Sequence, residues 1–508
     1  MNPHGMTLTR LERLMFDQVH TQTLAVGPMA ALLARPKARV TDPLFGRLLP
    51  KNPVDRPSRP EALKRLAKLA ESLCGTAGNV AGPAAAGLTF FGQFVDHDVT
   101  LDVVSELGRA TAPETVANVR TPALDLDCVY GAGPDGTPLL YWEAEGKDGF
   151  LYMGNAFNPN DLPRNHQGRA IIGDPRNDEN AIIAALQGLF IRFANIVLHK
   201  VRSNPGKYTG PFAELTASPF NVARQIVRWH YQWLIMREFL PAFVDAGVLA
   251  TVEKTLRAGD LPAPFGKDTA IIPIEFAVAA YRFGHATVQS EYVLANGQTI
   301  LLFANDGQPG LPHFGWKEAA LDFDLATMFD RPGGKAPQRA RPVGLDLTPE
   351  IFDLPFVMAK PIEAGDLTFT AEQLKMLPAR NIFRDRFTFE LPSGQQVASA
   401  MGLKPLARTK VMEKLDIEKT PLWYYLLQEG AEQSNGKLGA VGGTLVATVL
   451  MRILREDAMS VWHHPDWMPT FGGGKDFSFA RLIDFVTAEW AGFPYKDEVM
   501  TPNTRPRT

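Results

Sequence analysis

Cysteine is nearly absent: the 508-residue chain holds 2, Cys74 and Cys128. Two thiols cannot build a disulfide framework or a four-thiolate metal site. An excess of one charge is also missing, with 52 basic against 55 acidic residues. The chain therefore carries no electrostatic footprint for nucleic acid. Long hydrophobic runs are scarce. LGAVGGTLVATVLM at 438–451 stops at Arg452, is too short to span a bilayer and reads as a buried helix. The first residues, MNPHGMTLTRLERLMFDQVHTQ, show no unbroken apolar stretch behind a basic start and do not read as a secretory signal. Leu11, Met15, Phe16 and Val19 recur there at helical spacing instead. These absences lead us to expect no membrane span and a cytoplasmic location by default; signal-independent secretion would leave no trace in the sequence.

What is present suits a large core. Hydrophobic residues make up 45% of the chain and charged ones 21%, which is globular composition. Helical periodicity dominates. In 61–75, Leu66, Leu69, Ala70 and Leu73 form one stripe, with Leu63 a turn before. Segments 176–203, 221–247, 273–289, 409–416 and 439–455 also favour helix. Strand signals are short: YVLA at 292–295, TILLF at 299–303 and LLYWEA at 139–144. The stretch 330–345, DRPGGKAPQRARPVGL, is the most loop-like and is expected to be an exposed excursion or an inter-subunit arm. We expect a mainly α protein: an N-terminal wrapping segment over 1–85, then one large domain over 86–508 with a few short β-hairpins.

Three polar constellations interrupt the apolar pattern. In FGQFVDHDVTLD (91–102), Gln93 and His97 lie four apart and share a helix face, flanked by Asp96 and Asp98. An imidazole beside an amide suits proton handling next to a ligand; the plain alternative is a polar helix end. In GDPRNDENAIIAALQGLF (173–190), Asp174 suits an N-cap, Pro175 a first helical position, and Arg176 and Glu179 share a face. The plain alternative here is an ordinary capped helix, with Glu179 serving only its dipole. In IPIEFAVAAYRFGHATV (272–288), Arg282 and His285 break an apolar run three residues apart. A buried arginine needs an anion. The histidine is either a satisfied core residue or an axial metal ligand. Gly284 would let something flat approach the backbone.

Together these segments resemble the peroxidase–cyclooxygenase superfamily, the animal-type haem peroxidases, and more narrowly its bacterial peroxidase branch. The resemblance runs from about residue 85 to 405. It rests on several motifs in the family's order. Gly-Gln-x-x-Asp-His-Asp is present as Gly92, Gln93, Asp96, His97 and Asp98. By resemblance His97 is the distal base and Gln93 holds a distal water or halide. Asp96 matches a carboxylate able to form an ester with a haem methyl, and Asp98 a calcium ligand. Gly-Asp-x-Arg-x-x-Glu is Gly173, Asp174, Arg176 and Glu179; it implies a distal catalytic arginine and a second ester-forming carboxylate. Arg-x-Gly-His is Arg282, Gly284 and His285, implying a propionate partner and the axial iron ligand. LPARNIFRDR supplies Asn381, similar to the asparagine that accepts the proximal imidazole N–H, and Arg384, similar to a second propionate partner. NVRTPALDLDCVYG resembles the family's calcium loop, with Thr121, the Ala123 carbonyl, Asp125 and Asp127 joining Asp98. Oxygen donors with three carboxylates suit a hard cation.

The resemblance implies haem b, able to be ester-linked through Asp96 and Glu179, together with Ca2+. It implies a haem-dependent peroxidase that reduces hydrogen peroxide and oxidises a small organic substrate or a halide. Three departures bear on this. Asn180 stands where one branch has a haem-linked methionine, so no sulfonium link is expected. Phe387 follows Arg386 where many members continue Asp-His-Gly. Tyr281 lies four residues before His285, whereas fatty-acid dioxygenases of the superfamily place their radical-forming tyrosine three before, here Arg282. A fatty-acid dioxygenase and a non-catalytic haem-binding or interaction protein remain the alternative expectations.

Overall fold

A computed structural model describes residues 45–55, 58–100, 122–142, 149–208, 218–304, 309–312, 314–357 and 360–501. Helices carry the architecture. In chain order the principal ones are α1 (Arg59–Glu71), α2 (Ala86–Val99), α3 (Ala181–Ser203), α4 (Pro219–Leu234), α5 (Ala246–Arg257), α6 (Leu377–Phe383), α7 (Leu422–Gln433), α8 (Ala440–Glu456) and α9 (Phe479–Ala491). Strands among the described residues form three antiparallel pairs: β1 (Tyr141–Trp142) with β2 (Phe150–Leu151), β3 (Glu291–Val293) with β4 (Thr299–Leu301), and β5 (Ile362–Ala364) with β6 (Leu367–Phe369). The expected strands at 139–144, 292–295 and 299–303 correspond to β1, β3 and β4, while residues 143 and 144 lie outside the described residues.

The centre of the molecule is the junction of α2, α3 and α4. Phe94 of α2 stacks on Phe190 of α3 at 5.1 Å, and Tyr231 of α4 meets Phe91 edge-on at 5.8 Å. Such ring pairs add about 0.5–1.5 kcal/mol each beyond area burial. Gly92 is needed here, because a Cβ would stand 2.8 Å from the ring of Phe239. Helix α3 is apolar nearly all round, as a fully surrounded helix should be. It is long and apolar enough to cross a membrane by length and composition, but 89% of its most apolar window is buried inside this protein.

The segment preceding α2 is sewn to the core by main-chain bonds. Leu48 and Leu49 donate their N–H groups to the buried Glu275 carboxylate at 3.0–3.2 Å, and Asn52 donates to the Glu390 carbonyl at 2.9 Å. Residues 1–44 of the expected wrapping segment lie outside the described residues. The 330–345 stretch divides: residues 332–336 are exposed, as expected of an excursion, while 338–341 clasp the chain ahead of α2. Gly82 donates to the Ala340 carbonyl at 2.7 Å and Ala86 to the Gln338 carbonyl at 2.8 Å. Arg341 is buried and donates to the carbonyls of Thr76, Gly78 and Asp346 at 2.6–3.0 Å. Irregular chain leaves carbonyls without internal partners, and this guanidinium supplies the donors.

Two expected helices take other forms near the core. The periodic run at 273–289 is a π turn, Glu275–Ala279, followed by a 3-10 helix, Ala280–Ala286. The expected continuous helix at 176–203 is a 3-10 turn, Pro175–Asp178, followed by α3. Asp174 caps the short turn by accepting from the Arg176 N–H, and Asn180 restarts the chain as the cap of α3, accepting from Ile182 and Ile183.

Candidate active site

Helix α2 faces the 173–180 turn through its Gln93 and His97 side, as the four-residue spacing predicts. His97 Nδ1 lies 2.8 Å from Asn177 Oδ1. Gln93 donates from Nε2 to Glu179 Oε1, and Asn180 donates from Nδ2 to Gln93 Oε1 at 3.2 Å. Arg176 donates from Nη2 to the His97 carbonyl at 2.9 Å and from Nε and Nη2 to Asp174 at 3.1 and 2.8 Å. Asp174 thus both caps the turn and aims the guanidinium. The turn sits close on its neighbour: a Cβ on Gly173 would stand 2.4 Å from the Asp127 carbonyl oxygen. Arg164 holds the turn from outside, pairing with Asp161 and with Asp178 at 2.7 Å each.

Electrostatics differ between the carboxyls. Burial raises Glu179 to about 8, against the pull of Arg176. Asp96 is also raised by burial, opposed by Arg176, by a 2.7 Å hydrogen bond from Thr100 Oγ1 and by Arg282. Asp96 thereby feels two cations, Arg176 of the turn and Arg282 of the 3-10 helix.

On that 3-10 helix, residues three apart eclipse one another, so Arg282 and His285 leave the backbone on the same side. Trp423 of α7 fixes the helix by donating from Nε1 to the Arg282 carbonyl at 3.0 Å. Burial and the neighbouring Arg282 push His285 down to about 3, which keeps the ring neutral and able to bind a metal. Asn381 of α6 reaches His285 Nδ1 at 3.0 Å, but with its amide nitrogen. The contact joins the pair that the resemblance implies, and the hydrogen-bond roles at Nδ1 follow from the ring tautomer. A metal on Nε2 would require a proton on Nδ1, and a half-turn of the Asn381 amide would then present its oxygen. Arg384 opens a π turn, Arg384–Thr388, and is buried. Arg380, which sequence reasoning missed, is lowered to about 10 by burial and by Arg384, and itself lowers His285.

Asp98 serves partners other than those of His97. It accepts from the Leu126 N–H and the Tyr231 hydroxyl, both at 3.2 Å. One carboxylate oxygen from each of Asp98, Asp125 and Asp127 lies within 4.8 Å of the others. Leu126 between them adopts φ 61, a left-handed conformation that costs a non-glycine residue about 1–2 kcal/mol. Ala123 is buried on the same segment. Thr121 lies outside the described residues.

The animal haem peroxidase family model matches residues 102–309. No curated protein matches the chain. Among solved structures, Peroxidase A from Dictyostelium discoideum is similar, with 15% identity and TM-score 0.55 over 88% of this chain and 93% of that one. A fatty acid alpha-dioxygenase from Arabidopsis thaliana has 15% identity and TM-score 0.54 over 97% and 91%. Its counterpart from Oryza sativa has 14% identity and TM-score 0.54 over 97% and 95%. At these identities the likeness is one of fold.

The residues present fit a haem. Gly284 faces open space: a Cβ there would meet nothing within 4 Å. Arg176 Nη1 and Glu179 Oε2 are buried without a hydrogen-bond partner among the described residues, so both have bonding capacity left for a polar group in the site. A neutral His285 offers a metal ligand, and Arg282 and Arg384 offer cations for carboxylates. Sequence reasoning also missed Asn177 and Gln187. The latter carried a signal, being one of two amides, with Asn195, among the buried apolar residues of α3.

Proposed function

We propose that this chain, whose residues 102–309 match the animal haem peroxidase model, is a member of the peroxidase–cyclooxygenase superfamily whose site works as a haem peroxidase. Its substrates would be hydrogen peroxide and a small organic reductant or halide. The observation that carries this reading is the joining of base and cation: Arg176 holds the His97 carbonyl at 2.9 Å while its Nη1 stays buried and unpartnered among the described residues. His285 would hold the iron, Arg282 and Arg384 the propionates, and Asp96 and Glu179 are the carboxyls for ester links. Bound haem would supply the metal centre that takes up the oxidising equivalents of peroxide. His97 Nε2 would take a proton from the bound peroxide and return it to the leaving oxygen. Arg176 would stabilise negative charge on that oxygen, and Gln93 would hold a water or halide beside it. Asp98, Asp125, Asp127, Thr121 and the Ala123 carbonyl would hold Ca2+.

One observation favours fatty-acid dioxygenation: the plant alpha-dioxygenases cover 97% of the chain. Against it, Tyr281 lies four residues before His285 on a 3-10 helix, off the His285 face, where Arg282 takes the eclipsed position. The experiment pairs an absorption spectrum with two assays. A Soret band and peroxide-dependent guaiacol colour support a peroxidase. Oxygen uptake with a fatty acid and no colour would favour the dioxygenase, and no Soret band would sink both.

A further inference from the structure

Two buried amides stand behind His97. Asn177 donates from Nδ2 to Gln187 Oε1 at 2.8 Å, and Gln187 donates from Nε2 to the Cys128 carbonyl at 3.0 Å. All three side chains, His97, Asn177 and Gln187, are fully buried. An amide presents a donor at one end and an acceptor at the other, so a chain of amides has a direction. A main-chain carbonyl can only accept. The Cys128 carbonyl therefore fixes Gln187 with its nitrogen inward, which leaves Gln187 Oε1 to accept from Asn177. That in turn leaves Asn177 Oδ1, an acceptor, at 2.8 Å from His97 Nδ1.

We infer that Asn177 and Gln187 are positioning residues that lock the neutral His97 ring in its Nδ1–H tautomer, with Nε2 carrying the lone pair. Turning either amide over would set two acceptors or two donors face to face, at the cost of a buried unsatisfied group, about 1–3 kcal/mol. The inference rests on the peroxidase reading only for what Nε2 then does. The lock itself is a property of the hydrogen-bond direction. In that reading the ring takes a peroxide proton on Nε2 while keeping its own on Nδ1, and returns the same proton to the leaving oxygen.

The test reads the tautomer directly. The whole protein is labelled with 15N-histidine and, if it carries haem, is reduced and saturated with carbon monoxide so that the iron is diamagnetic. Long-range proton–nitrogen correlation at alkaline pH distinguishes a ring protonated on Nδ1 from one protonated on Nε2. His97→Gln assigns the signal by its loss. We expect the Nδ1–H pattern in the wild type and its loss in Gln187→Leu, where the Asn177 amide is free to turn. Asn177→Asp in the Gln187→Leu background should restore it, because a carboxylate only accepts. A wild-type ring protonated on Nε2, an unchanged Gln187→Leu spectrum, or a failure of the double variant to restore the pattern would each overturn the inference. The wild-type spectrum decides alone should a variant fail to fold. Absence of a Soret band would refute the haem reading, while the same spectrum still reads the His97 tautomer.

Discussion

Arg176 donates from Nη2 to the main-chain carbonyl of His97 at 2.9 Å. The proposed base and the proposed charge stabiliser are thus held by one hydrogen bond between two elements, α2 and the 173–180 turn. Arg176 also grips Asp174 through Nε and Nη2. A lysine has no planar fork to serve both partners. We expect Arg176→Lys to fold and keep its haem absorbance while peroxide turnover falls on the order of 100-fold, the usual cost of one lost transition-state donor. Stopped-flow absorbance after mixing with peroxide checks this, and wild-type rates in the variant would remove Arg176 from the reaction.

Glu179 makes a pH prediction. Burial lifts its carboxyl from 4.5 to about 8. Between those values the folded protein keeps a proton that the unfolded chain has released, so stability falls as pH rises through the window. The contribution is complete below the unfolded value and gone above the folded one. Thermal unfolding of haem-free protein should therefore show a downward slope with rising pH that is smaller in Glu179→Gln. An ester to haem would consume the carboxyl, so linked protein should lose the same part of the slope. Identical slopes in wild type and variant would refute the assignment.

Much of this site was legible in local patterns, and what was not depends on distant partners. The spacing of Gln93 and His97 places both toward the turn, because four residues is one helical turn and α2 is a regular helix. Asp174 reads as a cap and is one, but of a short 3-10 turn. The true start of α3 belongs to Asn180, and two caps six residues apart compete without anything local to choose between them. At 275–286 the apolar period suggests an α-helix, whereas Glu275 is claimed by Leu48 and Leu49 more than 200 residues away. Arg341 looks like part of a loose basic loop until the carbonyls of Thr76 and Gly78 are brought to it. Hairpin β5–β6 went unseen although Gly365 marks its turn with φ 66.

Calcium is predicted to matter beyond its own ligands. The turn carrying Arg176 rests on the acidic segment, since Gly173 approaches the Asp127 carbonyl too closely for any Cβ. Asp125→Asn should abolish calcium binding in titration calorimetry. A chelator should lower the wild-type melting temperature and leave that of Asp125→Asn nearly unchanged. Equal sensitivity in both proteins would show that Asp98, Asp125 and Asp127 are an acidic cluster without an ion.

Burial decides what an ion pair is worth, and two arginines allow the comparison. Arg164 sits between Asp161 and Asp178 at 2.7 Å each, with all three side chains buried. Arg164→Met would strand two carboxylates away from water, which costs about 3–5 kcal/mol. Arg331 pairs with Asp484 at the surface, where solvent screens the attraction and the expected loss in Arg331→Met is below about 1 kcal/mol. Denaturant unfolding of both variants tests the contrast. The two losses are also expected to differ in kind. Asp178 lies between Asn177 and Glu179, so freeing it should loosen the turn that carries Arg176 and reduce peroxide turnover. Arg331→Met should leave turnover unchanged. Equal stability losses, or an unaltered rate in a folded Arg164→Met, would mean that the turn holds its shape without this pair.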